Sequence, residues 1–481
     1  MKDDLPLEQC LDLQQLALDV YKDVVVVGNG PSAIAVSYFL SGNWPYYKGC
    51  GHVLEHLHCR LVQNESRSLV EQDLQMLCDG LEGRSNNPVS VLFDALNHPQ
   101  ADLGLNLPSA LKWSSDKAKA LDHVVIGSGL PGGSWQSMEG SILTISLGCW
   151  MELPNLSYKE WEVYRQNYDK DRGGGNGLKQ NRASVRSVAQ YYYDYVHLQG
   201  LTRYFQNNAK VTSISRCESA ELGEKALWKV EGFECKEGVG DVFSYLTPNV
   251  VLATGSYDCS NTLDVPGEGL PFVIHSLSNL EFLIRNQQLD AHSDPVLIVG
   301  AGLSAADAII TAHFYNIPVV HVFRRSVSDP ELIFNKLPEN MYPEYHKVHQ
   351  MMQGKGEGYC GYKAYPSHHI TGIESNRKVQ LQGPSSEETI TTVVSHVVVL
   401  VGSRPDLSFL PREGLSLGLV PGEPINCRDN PINIDVFTHE CVAEPSVFAV
   451  GPLVGDNFVR FVQGGALAIT SHLHKNLKTC I

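Results

Sequence analysis

The chain has 481 residues, with 37 lysines and arginines against 53 aspartates and glutamates, and a formal net charge of −16. The length predicts about two or three domains and a core that needs no disulfide or structural metal. The acidic balance argues against nucleic acid or an anionic membrane as the main partner, because both require a basic surface.

The sequence contains neither an evident targeting or membrane-spanning segment nor a closely spaced cysteine pair. No secretory signal is evident at the start, and the longest apolar runs, such as Val397–Val401, fall far short of the roughly 20 residues of a membrane span. The 12 cysteines include no C-x-x-C pair, which disfavours a zinc ribbon and a thioredoxin-like redox pair. We therefore expect a cytoplasmic protein without a transmembrane segment.

The first candidate site begins at a run of four valines. After a predicted short helix over residues 1–20, Val24–Val27 reads as a buried parallel strand, followed by a G-x-G-x-x-A turn and a helix. In such a turn the first glycine permits the sharp bend and the second lets the backbone approach a pyrophosphate, while the small third residue lets the helix pack. The helix N-terminus adds free N–H groups and a positive dipole end. We predict a dinucleotide site at Gly28, Gly30, Pro31, Ser32 and Ala33, although an unrelated glycine turn would share this pattern.

Residues 43–120 show no alternation of strands and helices. They are predicted to be an insertion between the first strand and the second strand, His123–Ile126. The second strand ends at Gly127-Ser128, without the acidic residue that normally holds a ribose. A cluster of cysteines and histidines lies inside the insertion, but its spacing fits no standard zinc finger, so we predict no metal site at Cys50, His52, His56, His58 and Cys59.

The middle of the chain contains predicted loop, helix and strand segments. The glycine-rich stretch 171–177 is predicted to be a surface loop, and Ser184–Leu198 a helix whose tyrosines pack. Strands are predicted at Lys210–Ile214, Trp228–Phe233 and Val250–Ala253. The last strand ends in Ala-Thr-Gly, a junction typical of flavoproteins, which adds Thr254 and Gly255 to the cofactor site.

A second strand–glycine–helix unit starts at residue 295. Its predicted nucleotide contacts are Gly300, Gly302, Ser304 and Ala305. The next strand, Val319–Phe323, ends at Arg324-Arg325, and Arg324 lies 22 residues after Gly302. An NAD enzyme carries an acidic residue near this position, whereas arginine suits the 2′-phosphate of NADPH. The alternative is that both arginines are ordinary surface charges.

The C-terminal segment completes the pattern of a two-cofactor enzyme. A strand over 447–450 leads to Gly455-Asp456, and a helix is predicted to start at Gly464-Gly465-Ala466. Two nucleotide units in this order fit enzymes that bind FAD first and NADPH second. The predicted domains are an FAD domain over 20–265, an NADPH domain over 266–404 and a returning FAD part over 405–481. The segment adds predicted cofactor contacts at Gly451, Asp456, Gln463 and Gly464.

A Gly-Gly-x-Trp sequence follows the second strand directly. In this position Gly132, Gly133 and Trp135 resemble the flavin-contacting segment of NADPH-dependent FAD monooxygenases, with the tryptophan as an apolar wall. This favours a monooxygenase over a reductase. The residues predicted to line the reactive face are Trp135, Gln136 and Asn457, the last because a side-chain amide can donate to a flavin or oxygen atom.

The chain resembles the oxidative stress-induced growth inhibitor family from about residue 20 to residue 474, and several stretches carry the resemblance. They are residues 28–33, 80–85, 130–135, 294–308, 342–352 and 455–468. The family is similar to flavin-containing and N-hydroxylating monooxygenases. The resemblance implies an α/β fold with two Rossmann-like dinucleotide-binding domains, FAD and NADPH as cofactors, O₂ as co-substrate, and links to restraint of cell growth and to cell division.

Two other functions fit the same motifs. One is an NADPH oxidase or reductase that releases peroxide. The other is a regulatory nucleotide-binding protein without turnover, which the missing ribose acid on the second strand favours. The sequence names neither the substrate nor the oligomeric state.

Overall fold

The computed structural model describes residues 18–170, 182–217, 227–236, 239–355, 361–384 and 389–478. The loop predicted over 171–177 and most of the helix predicted over 1–20 lie outside these ranges. The described end of that helix is instead a strand, Asp19–Tyr21, because its backbone pairs in parallel with Ser244–Leu246. The chain divides into two compact units, residues 1–256 with 405–481 and residues 257–404.

All helices and strands up to residue 256 belong to the first unit. Its helices are α1 (Pro31–Leu40), α2 (Glu55–Val62), α3 (Leu74–Cys78), α4 (Pro88–Asn97), α5 (Tyr158–Lys170) and α6 (Val185–Leu198). Its strands are β1 (Asp19–Tyr21), β2 (Val24–Val27), β3 (Asn43–Tyr47), β4 (Leu111–Ser115), β5 (His123–Ile126), β6 (Leu143–Leu147), β7 (Arg182–Ser184), β8 (Phe205–Gln206), β9 (Ala209–Arg216), β10 (Trp228–Lys236), β11 (Val239–Thr247) and β12 (Val250–Leu252).

The second unit follows with helices α7 (Leu277–Arg285), α8 (Leu303–Phe314) and α9 (Pro343–Met352). Its strands are β13 (Cys259–Ser260), β14 (Val273–Ile274), β15 (Val296–Val299), β16 (Val319–Phe323), β17 (Tyr362–Pro366), β18 (His369–Ile373), β19 (Lys378–Gln382), β20 (Thr389–Val393), β21 (His396–Val399) and β22 (Ser403–Arg404). The chain then returns to the first unit with β23 (Val447–Ala449) and α10 (Val459–Lys478).

The central sheet of the first unit is parallel and has the order β23-β12-β2-β5-β8. The valines of β2 are all buried because both faces of the sheet are covered. Val24 and Val26 belong to a core with α1, α4, α6 and α10, while Val25 and Val27 pack with β9, β10 and loop residues after 405. The predicted buried parallel strands at 24–27, 123–126 and 250–252 are confirmed.

A mixed sheet in the order β1-β11-β10-β9 covers the second face; β9, β10 and β11 form an antiparallel meander, and β1 pairs in parallel with β11. The sequence predicted β9 and β10 but missed β11. Helix α6 is confirmed as predicted, with Ser184 as its N-cap. Three tyrosines of this helix, Tyr191, Tyr192 and Tyr195, are fully buried, so they pack as expected.

The 43–120 insertion folds onto α10. Strands β3 and β4 pair antiparallel and bracket α2, α3 and α4. A Cβ added at Gly464 would lie 2.3 Å from the Cα of Ser90 on α4, so the two helices touch backbone to backbone. Lys475 donates to the carbonyl of Gln72 at 2.9 Å. The insertion is therefore a layer of the first unit that lies against the C-terminal helix.

The second unit has its own parallel sheet, in the order β14-β21-β15-β16-β17. A three-stranded antiparallel sheet, β18-β19-β20, shares a core with it through residues such as Ile370, Val379 and Leu381. Residues 390–402, which the sequence predicts to be rich in strands, contain most of β20 and all of β21. Both units thus place a central β-strand directly before a glycine turn and a helix.

Candidate cofactor sites

The first glycine turn lies at the carboxyl end of β2. Gly28 has φ +105°, and a Cβ there would lie 2.3 Å from the Ala253 carbonyl oxygen, so only glycine fits. Gly30 is the N-cap of α1, which begins at Pro31 and has no side-chain cap. The nearest atom to an added Cβ at Gly30 is the Gly132 oxygen, 4.0 Å away. The helix N-terminus therefore keeps free N–H groups beside an open approach, as an anionic diphosphate requires.

The Gly132-Gly133 loop lies directly on this turn. The Gly132 N–H donates to the Asn29 carbonyl at 2.9 Å. A Cβ added at Gly133 would lie 3.1 Å from the Cα of Gly30. Trp135 packs edge to face on Tyr192, with ring centroids 5.9 Å apart. The structure thus brings together two motifs that lie a hundred residues apart in the sequence.

Gln136 holds this loop in place. Its side-chain amide nitrogen donates to the carbonyls of Pro131 at 2.6 Å and Ala189 at 2.9 Å. Both amide hydrogens are therefore used to hold the loop, and the place of Gln136 at the reactive face remains a prediction. Asn457 is exposed, and its amide donates to the Gly455 carbonyl at 3.1 Å.

Asn29 lies beside Gly127, the position after the second strand at which an acidic ribose-binding residue is absent. A Cβ added at Gly127, directly after β5, would lie 2.0 Å from the Asn29 side-chain carbon Cγ. The Asn29 amide donates to the Gly129 carbonyl at 2.7 Å and to Asn207 Oδ1 at 3.3 Å. Sequence reasoning passed over Asn29 because it stands at a variable position of the glycine motif. Its amide fills the space that a side chain at 127 would need.

Thr254 carries a buried hydroxyl with no hydrogen-bond partner among the described residues. It follows β12, next to the first glycine turn, and such orphaned groups are rare in folded proteins. Gly255 has φ +77°, and no protein atom lies within 4 Å of an added Cβ. An orphaned hydroxyl beside an open glycine fits a site that a bound FAD completes.

The C-terminal segment approaches the same turn through Gly451. Its φ is +74°, and an added Cβ would lie 2.3 Å from the Ser32 hydroxyl oxygen. The helix that follows begins at Val459, not at Gly464, so the two glycines predicted to start it lie inside it. Gly464 therefore serves the contact between α10 and α4 described above, which corrects its predicted contact with a cofactor.

Two further residues of this segment face the protein interior. The Asp456 carboxylate is 2% exposed and accepts hydrogen bonds from Ser85, Asn87 and Ser90 of the insertion. Gln463 is fully buried and donates to the Glu152 carbonyl at 3.0 Å. The Asp456 carboxylate is thus matched inside the fold, whereas the Gln463 side-chain oxygen has no hydrogen-bond partner among the described residues. The contacts of both side chains with FAD remain predictions. Burial raises the pKa of Asp456 above its usual value.

A buried charge cluster lies next to this segment. The Arg460 guanidinium is paired with Asp102, lies 3.6 Å from Asp94 and sits over the Trp150 ring at 4.6 Å. Burial raises the pKa of Asp94 to about 7, although Arg460 opposes the shift. Burial likewise raises the pKa of Glu152 to about 7. Both carboxyl groups therefore titrate near neutral pH.

The second glycine turn repeats the geometry of the first. Gly300 has φ +127°, and a Cβ there would lie 2.3 Å from the Leu400 carbonyl oxygen. Gly302 is the N-cap of α8, which also lacks a side-chain cap, and an added Cβ at Gly302 would meet no protein atom within 4 Å. Ser304 stands in the first turn of α8, and Ala305 is buried against the sheet. The open glycine and the uncapped helix fit a second dinucleotide.

The two arginines at the end of β16 differ in their surroundings. Arg325 pairs with Asp329 at 3.0 Å. Arg324 is exposed and has no ion-pair or hydrogen-bond partner among the described residues. Arg324 is thus the arginine with its donors available to a phosphate.

Comparison with known proteins identifies the family. The mouse protein oxidative stress-induced growth inhibitor 1 is 46% identical over 463 residues, which cover 94% of this chain and 95% of the mouse protein. The chain belongs to the oxidative stress-induced growth inhibitor family. Residues 177–419 of this family member also match the model of the pyridine nucleotide-disulphide oxidoreductases. It is therefore an oxidoreductase flavoprotein that uses FAD and NAD(P)H.

Two solved enzyme structures share the fold of this growth inhibitor family member. Bacillithiol disulfide reductase from Staphylococcus aureus gives a TM-score of 0.58 at 14% identity, covering 95% of this chain and 99% of the reductase. Ornithine hydroxylase from Pseudomonas aeruginosa gives 0.56 at 14%, covering 95% and 100%. These likenesses confirm the predicted α/β fold with two Rossmann-like domains. Within the described residues, no helix is long and apolar enough to cross a membrane.

Proposed function

We propose that the chain is an NADPH-dependent flavoprotein monooxygenase. The observation that carries this proposal is the Gly132-Gly133 loop, which lies on the Gly30 turn and brings Trp135 beside it. A loop of two glycines can approach a flavin closely, and a tryptophan beside it excludes water. The absence of any C-x-x-C pair from the sequence argues against a dithiol reductase.

The residues that would hold FAD surround the first glycine turn. The free N–H groups at the start of α1 bind the diphosphate, and the Thr254 hydroxyl gains a partner when the cofactor is present. Asn29 stands at the corner of the ribose. Bound FAD supplies the two-electron chemistry between NADPH and O₂. The protein supplies orientation, fixed dipoles and an apolar wall.

The residues that would hold NADPH surround the second turn. Gly302 and the N-terminus of α8 bind the diphosphate, and Arg324 binds the 2′-phosphate. The overall reaction consumes one NADPH, one proton and one O₂. One oxygen atom enters the substrate, and the other leaves as water. We further propose that this oxidation underlies the growth inhibition for which the relatives are named.

The test is a comparison of NADPH consumed with peroxide released. The purified chain, loaded with FAD, is mixed with NADPH under air, and NADPH absorbance and hydrogen peroxide are followed with candidate amine, thioether and ketone substrates. A monooxygenase consumes NADPH faster with its substrate while the peroxide released per NADPH falls. Constant stoichiometric peroxide with every substrate would indicate an oxidase instead. A chain that cannot be loaded with FAD would contradict both.

A further inference from the structure

His321 lies buried beside the second glycine turn. It stands in the middle of β16, which pairs in parallel with β15, and Gly300 directly follows β15. The side chain is 1% exposed. Its ring nitrogen Nε2 is 2.6 Å from the Gly300 carbonyl oxygen, and Nδ1 is 2.8 Å from the Tyr362 hydroxyl oxygen. Both ring nitrogens are therefore in hydrogen bonds.

The two partners fix which nitrogen of His321 carries the hydrogen. A carbonyl oxygen can only accept, so Nε2 must be the donor toward Gly300. A neutral imidazole has one N–H, so Nδ1 accepts, and the Tyr362 hydroxyl donates to it. Burial lowers the pKa of His321 to about 4, so the ring is neutral at physiological pH. The result is a directed relay from Tyr362 through His321 to Gly300.

The carbonyl of Gly300 belongs to the peptide that joins it to Ala301. In a planar trans peptide the N–H points opposite to the C=O. Holding this carbonyl toward His321 therefore turns the Ala301 N–H away from it. No hydrogen bond from this N–H is found within the described residues. The adjoining Gly302 is open, so an oriented donor stands at the turn.

We propose that His321 is a positioning residue for the diphosphate of NADPH, because it fixes the orientation of the Gly300–Ala301 peptide. The inference rests on the proposed function, since it takes this turn as the NADPH site. Tyr362 supports it by holding the tautomer in which Nε2 is the donor. His321 itself touches no cofactor in this scheme.

The test uses two pairs of variants. His321→Leu removes the donor to Gly300, whereas His321→Gln keeps an amide N–H that reaches in a similar direction. Tyr362→Phe removes the hydroxyl alone, and Tyr365→Phe, on the same strand, is its matched control. The dissociation constant of NADPH is measured by calorimetry on the oxidised protein, without turnover. We expect about a tenfold weaker binding for His321→Leu, about threefold to tenfold for Tyr362→Phe, and recovery toward the original value for His321→Gln.

A kinetic readout separates positioning from general damage. The KM for NADPH should rise in His321→Leu while the rate of flavin reduction at saturating NADPH stays unchanged. Unchanged binding in both His321→Leu and Tyr362→Phe would overturn the proposal. If His321→Leu does not fold, the NADPH dissociation constants of Tyr362→Phe and Tyr365→Phe test the proposal instead.

Failure of the proposed function has a distinct signature. In that case the unaltered protein itself binds no NADPH. Amide hydrogen exchange over residues 299–306 then tests the remaining claim, that His321 orders this turn. Faster exchange in Tyr362→Phe than in Tyr365→Phe would support it, and equal exchange would overturn it.

Discussion

The Asp456 carboxylate accepts a hydrogen bond of 2.9 Å from the side-chain amide of Asn87. Ser90, in the first turn of α4, donates to the same carboxylate oxygen at 2.8 Å, and Ser85 donates to the other. A buried carboxylate is stable only when its oxygens are matched in this way. The Asp456 side chain therefore joins the C-terminal segment to the insertion at three hydrogen bonds.

Loss of the Asp456 carboxylate should destabilise the first unit. Asp456→Ala leaves the donors of Ser85, Asn87 and Ser90 unpaired, so we expect the free energy of unfolding to fall by about 2–4 kcal/mol. The measurement is urea denaturation, with the exposed Asp429→Ala as control. A loss of FAD without a loss of stability would show that Asp456 binds the cofactor directly.

Glu152 should make stability depend on pH between about 4.5 and 7. Its pKa is raised in the folded protein, so the stability that its protonated form contributes is full below 4.5 and is lost as the pH rises through 7. The change amounts to at most about 3 kcal/mol. Glu152→Gln should gain stability relative to the unaltered protein as the pH rises from 4.5 to 7.5, as measured by denaturation at each pH. The exposed Glu423→Gln should show no such trend, and a parallel response of both variants would contradict the prediction.

An added methyl group at Gly302 should block NADPH without disturbing the fold. No protein atom lies within 4 Å of that position, so Gly302→Ala should unfold like the unaltered chain. The methyl group would occupy the approach of the diphosphate, so we expect NADPH to bind at least about tenfold more weakly. Gly269→Ala, which is equally unobstructed, is the matched control. Equal binding by the two variants would remove this turn from the site.

Removal of the Thr254 hydroxyl should weaken FAD binding alone. Thr254→Val keeps the shape and deletes a buried oxygen that has no partner among the described residues, so the stability of the cofactor-free chain should hold or rise slightly. FAD affinity, measured by fluorescence during loading, should fall by about fivefold to tenfold. Thr212→Val, at an exposed site on β9, should leave loading unchanged. Unaltered loading of Thr254→Val would mean that the hydroxyl does not meet the cofactor.

Arg324 should discriminate NADPH from NADH. Arg324→Ala removes an unpaired guanidinium and is expected to raise the KM for NADPH about tenfold while that for NADH stays the same. Arg325→Ala, which breaks the ion pair with Asp329, should change the preference for NADPH over NADH far less. The ratio of kcat/KM for the two nucleotides is the measurement. Equal losses with both nucleotides would show that Arg324 does not read the 2′-phosphate.

The local part of each site could be predicted from the sequence. A buried strand, a glycine turn and a helix are encoded in about a dozen successive residues. The second strand, His123–Ile126, and the strand before the Ala-Thr-Gly junction can be predicted equally well, because burial on both faces leaves a continuous apolar run.

The contacts made across long separations could not be predicted. Asp456 and Asn87 stand 369 residues apart, and the pattern around Asp456 fits a flavin ligand as well as a buried anchor. In the sequence, His321 is only one residue of an otherwise apolar strand. Its hydrogen bond to the Gly300 carbonyl is seen only in the fold. Strand β11 contains Gly240 and Asp241, which interrupt its apolar alternation.

Gly464 draws α10 so close to Ser90 that no side chain separates the two backbones. The same helix also shares the core with α1, which carries the first glycine turn. A shortened chain that stops before Val459 would lack α10, so α1 and α4 would both lose the helix that packs against them. We expect such a product to retain the complete nucleotide motif near its start but to lose the packing that supports it, and therefore to be isolated without the yellow colour of FAD.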